Sequence, residues 1–161
     1  MTKTSVLESE VPMIVNRTLD VSLNEMDCFV RQMVAQDIYH ATGKKKKESD
    51  IKPGYTYSKK IKGRSGKEGK VSTCIDQLES GTYKASFNSA QGINTLCYSY
   101  HENEEGKLEL SYEETYDAKS KSKALNYQIM NFLYKHSNKR RINLTLAHIE
   151  RLIQENRKPV N

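Results

Sequence analysis

Two charged residues stand where apolar ones are expected. Arg17 shares an alternating face with Met13, Val15, Leu19 and Val21, and Glu114 is in phase with Leu108, Leu110, Tyr112 and Tyr116. Charges drawn into an apolar face need partners, and arginine can meet a carboxylate through two parallel N–H···O bonds. If the strands that carry them are antiparallel neighbours, Arg17 and Glu114 face each other across a sheet. They would then form a polar anchor at one end of an apolar pocket. The plainer alternative is a surface pair, which contributes little. Tyrosines make a second pattern. Tyr55 and Tyr57, Tyr98 and Tyr100, and Tyr112 and Tyr116 each fall on one side of a two-residue period. A tyrosine joins a flat apolar body to a hydroxyl, so it suits a pocket wall as well as an ordinary strand surface.

Other chemistry finds less support. His40, His101, His136 and His148 have no second His or Cys at HxxxH, CxxC or CxxH spacing, so no zinc site is expected. Cys28, Cys74 and Cys97 cannot all pair with one another, and we read three free thiols in a reducing, cytoplasmic setting. Cys28 falls mid-helix on the core side, which predicts inert burial. The stretch GRSGKEGK has the composition of a phosphate loop but lies in a hairpin, without the helix N-terminus that supplies most of that chemistry. No GxxxxGK[ST], GxGxxG or GxSxG is present. No catalytic residue, metal or cofactor is therefore assigned.

Charge is unevenly spread. The formal net charge is +6, but between Lys44 and Lys70 lie eleven Lys and Arg against Glu48, Asp50 and Glu68. Lys135, Lys139, Arg140 and Arg141 add a second basic step, while six Glu against one Lys lie between Glu102 and Glu114. A basic surface attracts anionic partners. Zinc-finger, RNP-type and clear helix-turn-helix patterns are missing, so charge is the only argument for nucleic acid, and we do not expect that partner.

The elements that must position these residues can be read from periodicity. Residues 1–12 are expected to be a flexible tail. Residues 13–21 alternate as a half-buried strand. Ser22 and Glu25 have capping-box spacing ahead of a helix over 23–42, whose apolar stripe is Leu23, Met26, Phe29/Val30, Met33/Val34 and Ile38, with Gly43 as its left-handed cap. Five strand-like runs follow at 55–62, 71–79, 82–88, 93–101 and 108–116, with short polar gaps that suit an antiparallel meander. From Lys119 to Arg157 the period is helical. Leu125, Ile129, Phe132, Leu133 and His136 share one face; Ile142, Leu146, Ile149 and Ile153 share another. At the helical angle per residue, Leu133 and Ile142 differ by a half turn. The second stripe should therefore fold back on the first helix through a bend between Ser137 and Arg141, or meet a second copy of the chain as a homodimer. The first should pack into the hollow of the sheet. No apolar run is long enough to span a bilayer.

This order of elements is a helix-grip pattern. VNRTLDV, YHATGKK, GYTYSKKI, LSYEETY and FLYKHSNKRR, with their spacing, resemble an uncharacterised bacterial domain-of-unknown-function family of the START-like superfamily, which includes polyketide cyclases and the major birch-pollen allergen. The resemblance implies an α+β fold over 13–157: N-terminal strand, helix, five-strand antiparallel meander and long C-terminal helix, often with a pocket between sheet and helix. It implies no established reaction. We expect non-catalytic binding of a small apolar or amphipathic ligand, with Arg17, Tyr55, Tyr57, Tyr112, Glu114 and Phe132 lining the site. The alternative is an interaction protein whose basic surface meets an anionic partner. An enzyme of the cyclase or hydratase kind ranks last, because no acid/base pair stands out beyond Arg17 and Glu114.

Overall fold

In the computed structural model the described residues are 12–62, 68–90, 92–118 and 121–157, without the side chains of 61–62, 68, 118 and 121–138. The expected tail, the GRSGKEGK turn and the stripe from Leu125 to His136 thus lie largely outside the described residues.

The elements run β1 (Met13–Leu19), α1 (Leu23–Thr42), a short 3₁₀ turn (Glu48–Asp50), β2 (Thr56–Lys62), β3 (Glu68–Glu79), β4 (Thr82–Asn88), β5 (Gly92–Glu102), β6 (Leu108–Ala118) and α2 (Lys121–Asn156). The six strands form one antiparallel sheet in the order β1-β6-β5-β4-β3-β2. The meander pairs each strand with the next, and β1 closes onto β6. This is the α+β helix-grip arrangement that the spacing predicts.

Local chemistry sets the bounds of α1. The Ser22 hydroxyl accepts from the Glu25 N–H at 3.1 Å, and the Glu25 carboxylate accepts from the Ser22 N–H at 3.0 Å. Each group satisfies a donor that a helix start would leave orphaned. Gly43 ends the helix at φ 73°, and its N–H donates to the Tyr39 carbonyl at 2.8 Å. The helix buries Met26, Val30, Val34 and Ile38.

The same face of α1 buries a charge. Asp27 accepts from the Ser80 hydroxyl at 2.6 Å, the Tyr100 hydroxyl at 2.6 Å and the Gly81 N–H at 3.1 Å. Burial alone would raise this carboxyl, but the three donors outweigh it and hold Asp27 below the ordinary aspartate range. The network ties α1 to the β3–β4 turn and to β5. Gly81 is required there: its φ is 83°, and a Cβ would sit 2.9 Å from the Tyr100 carbonyl oxygen.

The second half of α2 corrects one expectation. Lys121–Asn156 is a single unbroken helix, and the segment contains neither Gly nor Pro. Leu146, Ile149 and Ile153 are buried all the same, because this half of α2 lies on β1 and β6 and reaches α1. The stripe changes side because its partner is the edge of the sheet, and its burial needs no second copy. Polar ties finish this end. Glu150 accepts from the Asp20 N–H at 2.6 Å, and Arg157 donates to Glu25 at 2.6 Å. That guanidinium holds the Glu25 carboxyl down at about 2.

β3 carries one irregularity. Pairing with β4 shifts between Ile75 and Gln77, so Asp76 is an extra residue. The bulge brings Leu78 opposite Tyr83, with Ile75 opposite Ala85, and such bulges sharpen the bend of a strand.

Candidate functional site

The register sorts the inner face of the sheet into rungs. One rung is apolar from β3 to β5 and ends on a charge: Ile75 on β3 is opposite Ala85 on β4, Ala85 opposite Leu96 on β5, and Leu96 opposite Glu114 on β6. On one side lie Leu78, Tyr83, Tyr98 and Tyr112, each opposite the next across β3 to β6. The Tyr83 and Tyr98 rings are 5.9 Å apart, and Tyr98 meets Tyr112 edge-on at 5.2 Å. On the other side Tyr57, Thr73, Phe87, Asn94 and Tyr116 follow one another across β2 to β6.

Packing is uneven over this face. Towards α1 and the end of α2, Leu19, Val21, Met26, Leu108 and Leu146 are sealed. Farther along, Phe87, Leu96 and Tyr98 are only half-buried. Among the described residues two buried polar atoms make no hydrogen bond: the Thr73 hydroxyl and the Asn94 side-chain carbonyl. They lie on the same rung, two strands apart with Phe87 between them. Thr73 itself is 0% exposed. A buried polar atom left unpaired costs about 1–3 kcal/mol, so such atoms are rare where no ligand or water meets them.

Three tyrosine hydroxyls on this face are spent on carboxylates. Tyr57 donates to Asp37 of α1, Tyr100 to Asp27, and Tyr112 to Glu114 at 2.7 Å. Burial, with a carboxylate at each hydroxyl, pushes all three well above the ordinary phenol range. Burial, helped by Glu114, pushes Tyr98 up to about 12. All four therefore stay neutral and can donate at any ordinary pH. Lys59, at 3.2 Å from Asp37, completes the polar edge beside Tyr57.

The expected site residues fare differently. Arg17 and Glu114 lie on neighbouring strands and on the inner face, but they do not meet. Arg17 is opposite Leu110, and Glu114 is opposite Met13. Four residues separate them along the strand, or about 13 Å. Arg17 donates instead to the Asn143 carbonyl of α2 at 3.3 Å, and Glu114 accepts from Asn94 at 3.1 Å and from Tyr112. Tyr112 and Tyr57 lie on the inner face, their hydroxyls engaged as described. Tyr55 is half-buried, 6.0 Å from the Tyr57 ring, with the Lys46 ammonium 3.9 Å above its own ring. The side chain of Phe132 lies outside the described residues. Cys28 is exposed, against the expected burial: it lines a groove between α1 and the end of α2 with Phe29, Ile153 and Arg157. Cys74 and Cys97 are free and half-buried.

Sequence reasoning passed over Thr73, Asn94, Asp27, Asp37 and Tyr83. Thr73 is in phase with Val71 and Ile75, and Asn94 with Leu96 and Tyr98, so the signal that marked Arg17 was present for both.

Part of the basic stretch, Lys59, Lys60 and Lys70, lines a cleft of about 540 Å³ together with Asp37, His40 and Ser58. Lys60 and Lys70 are directly opposite each other on β2 and β3. The Lys135 side chain lies outside the described residues, while Arg140 and Arg141 are exposed. Among the described residues no helix is long and apolar enough to cross a membrane.

Residues 13–135 match the model of the family described as a domain of unknown function, DUF3284, and the chain belongs to that family. No curated protein matches it in sequence. Among solved structures, a protein of unknown function from Staphylococcus aureus, SA2116, is 17% identical with a TM-score of 0.60, covering 93% of this chain and 98% of that one. TTHA0849 from Thermus thermophilus has a TM-score of 0.60 at 8% identity, covering 91% of this chain and 99% of its own. Ara h 8.0201 has a TM-score of 0.58 at 11% identity, with 89% and 97% covered. These similarities establish the START-like helix-grip fold.

Proposed function

We propose that the protein binds a small amphipathic molecule on the inner face of the sheet, without transforming it. One observation carries this reading: Thr73 and Asn94 present buried polar atoms without partners on the same rung, beside the half-buried Phe87, Leu96 and Tyr98. An apolar wall with a few convergent polar groups is what small-molecule sites require. Of the residues expected from sequence, Tyr57 lies on this rung, Glu114 one rung away and Tyr112 two. Arg17 ties the sheet to α2, and Tyr57 is held by Asp37. Two measurements test the reading together. Native mass spectrometry of protein purified from its own host should show an added mass that is lost on denaturation. The stripped protein should bind 8-anilinonaphthalene sulfonate saturably, with one site. No added mass and no saturable binding would refute it.

A second reading has its own observation. Like charges directly opposite on neighbouring strands are unfavourable, and Lys60 faces Lys70 beside the basic cleft. An anionic partner seated there would relieve that repulsion. Retention on heparin to high salt, lost in Lys60→Ser/Lys70→Ser, supports this reading; elution of the wild type at low salt opposes it.

A further inference from the structure

The polar corner of the inner face has a definite sign. Asn94 could in principle offer either end of its amide. Its NH₂ group donates to Glu114 Oε1 at 3.1 Å, and turning the amide over would set an oxygen against a carboxylate. Glu114 therefore fixes the amide, and the unpaired atom is an acceptor. Glu114 itself accepts two hydrogen bonds, from Asn94 and from Tyr112, and a carboxylate has room for about four. The Tyr112 oxygen, having donated its proton to Glu114, can also only accept. The atom left open in this corner is thus an acceptor, and it stands beside a carboxylate with lone pairs to spare. Around it stand the rings of Tyr98 and Tyr112, whose faces attract cations.

No basic side chain neutralises the corner among the described residues. Lys59 is taken up by Asp37, and Arg17 by the Asn143 carbonyl. Arg141 is exposed on α2 and acts on Tyr112 only through its field, opposing the rise of that hydroxyl. An apolar ligand would leave the Asn94 carbonyl unpaired. A carboxylate ligand would meet Glu114 with like charge.

We infer that the ligand carries a protonated amine, which donates to the Asn94 carbonyl and Glu114 while its apolar body lies along Leu96, Phe87 and Tyr98. This inference rests on the reading of the inner face as a ligand site. The Thr73 hydroxyl, two strands away on the same rung, is placed to take a second polar group of the ligand.

The test compares three probes of equal chain length on the stripped protein by isothermal titration: dodecylamine, dodecanol and dodecanoic acid. The net charge of +6 favours the acid wherever binding is unspecific, so a preference for the amine has to come from the site. The amine should bind about tenfold or more tighter than the alcohol, because hydrogen bonds to ionised groups are roughly twice as strong as neutral ones. The acid should bind weakest. Glu114→Gln keeps the shape and the bond accepted from Asn94, while Tyr112 must turn to accept from the new NH₂ group, and it should bring amine and alcohol to within about threefold of each other. Asn94→Leu removes the open carbonyl together with the bond to Glu114, two changes of opposite sign for stability, so it should leave the melting temperature of the free protein nearly unchanged and lose the amine preference, which separates loss of binding from loss of fold. An acid that binds as tightly as the amine overturns the inference and leaves the pocket intact. An amine preference that survives both substitutions overturns the placement at Glu114. If none of the three probes binds, the pocket falls and the inference with it.

Discussion

Replacing Thr73 by valine should stabilise the protein and weaken its binding. Thr73 is 0% exposed, its hydroxyl has no partner, and its neighbours across the strands are Tyr57 and Phe87. Valine keeps the β-branched shape and the strand preference and exchanges the hydroxyl for a methyl. Two contributions then share a sign. Removing an unpaired buried hydroxyl relieves about 1–3 kcal/mol. Adding a buried methyl contributes up to about 0.8 kcal/mol, reduced by whatever crowding the larger group meets. The expected gain is about 1–2 kcal/mol, which for a domain of this size raises the melting temperature by about 3–6 °C. Urea denaturation followed by circular dichroism at two wavelengths reads the gain directly, with Thr73→Ser as a control that keeps the hydroxyl. In the same variant, the affinity for any probe that hydrogen-bonds at this rung should fall. The usual outcome at a fully buried threonine that is hydrogen-bonded is the opposite, a loss of stability. A lower urea midpoint for Thr73→Val would therefore show that the hydroxyl is satisfied in solution. It would remove one of the two orphan atoms on which the site rests.

Asp27→Ala leaves the Tyr100 hydroxyl and the Gly81 N–H without an acceptor and should cost about 3–5 kcal/mol by urea denaturation, against about 1 kcal/mol for Asp27→Asn. Glu25 titrates at about 2 when folded and at 4.5 as a free side chain, so its contribution is complete above 4.5 and is lost as pH falls towards 2. Both partners are partly exposed, which limits the effect to about 1 kcal/mol, and Arg157→Ala should flatten this acid limb of the stability profile. Leu146→Glu places a charge at a position with 0% exposure and should unfold or severely destabilise the domain; a mild effect would show that β1, β6 and α1 do not cover the second stripe. Thiol counting on denatured, unreduced protein should return three free thiols, with Cys28 reacting fastest in the native state because it alone is exposed.

Phase was legible in this sequence, and register was not. Alternation placed Arg17 and Glu114 on the inner face because side-chain direction depends only on odd and even position along a strand. Whether they touch depends on which residue of β1 lies opposite which residue of β6. No alternation pattern encodes that, and the four-residue offset leaves each with a different partner. The bulge at Asp76 is the same kind of feature. Nothing in TCIDQLE announces an extra residue, yet it decides that Leu78 stands opposite Tyr83. The capping box, Gly43 and the strand runs were readable because each rests on residues close in sequence. The half-turn change of stripe in α2 was also readable, but its cause was not, since the sheet edge that covers Leu146 and Ile149 is assembled from β1 and β6, elements far from α2's second half in the chain.

The missed site residues follow from how polarity was weighed. A charge on an apolar face draws notice because its burial is costly, whereas a threonine or an asparagine in the same phase passes as ordinary strand. The energetics run the other way here. Arg17 and Glu114 both found partners, and so did Asp27 and Asp37. Among the described residues, the Thr73 hydroxyl and the Asn94 carbonyl are the ones left without. A charge demands its partner from the fold, because an unpaired buried charge would unfold a domain that is stable by only about 5–15 kcal/mol. A neutral acceptor left open costs little enough to be kept, and it can be kept for a ligand. In a pocket of this fold, the residues that recognise the guest should therefore be sought among the modest polar side chains on the inner face.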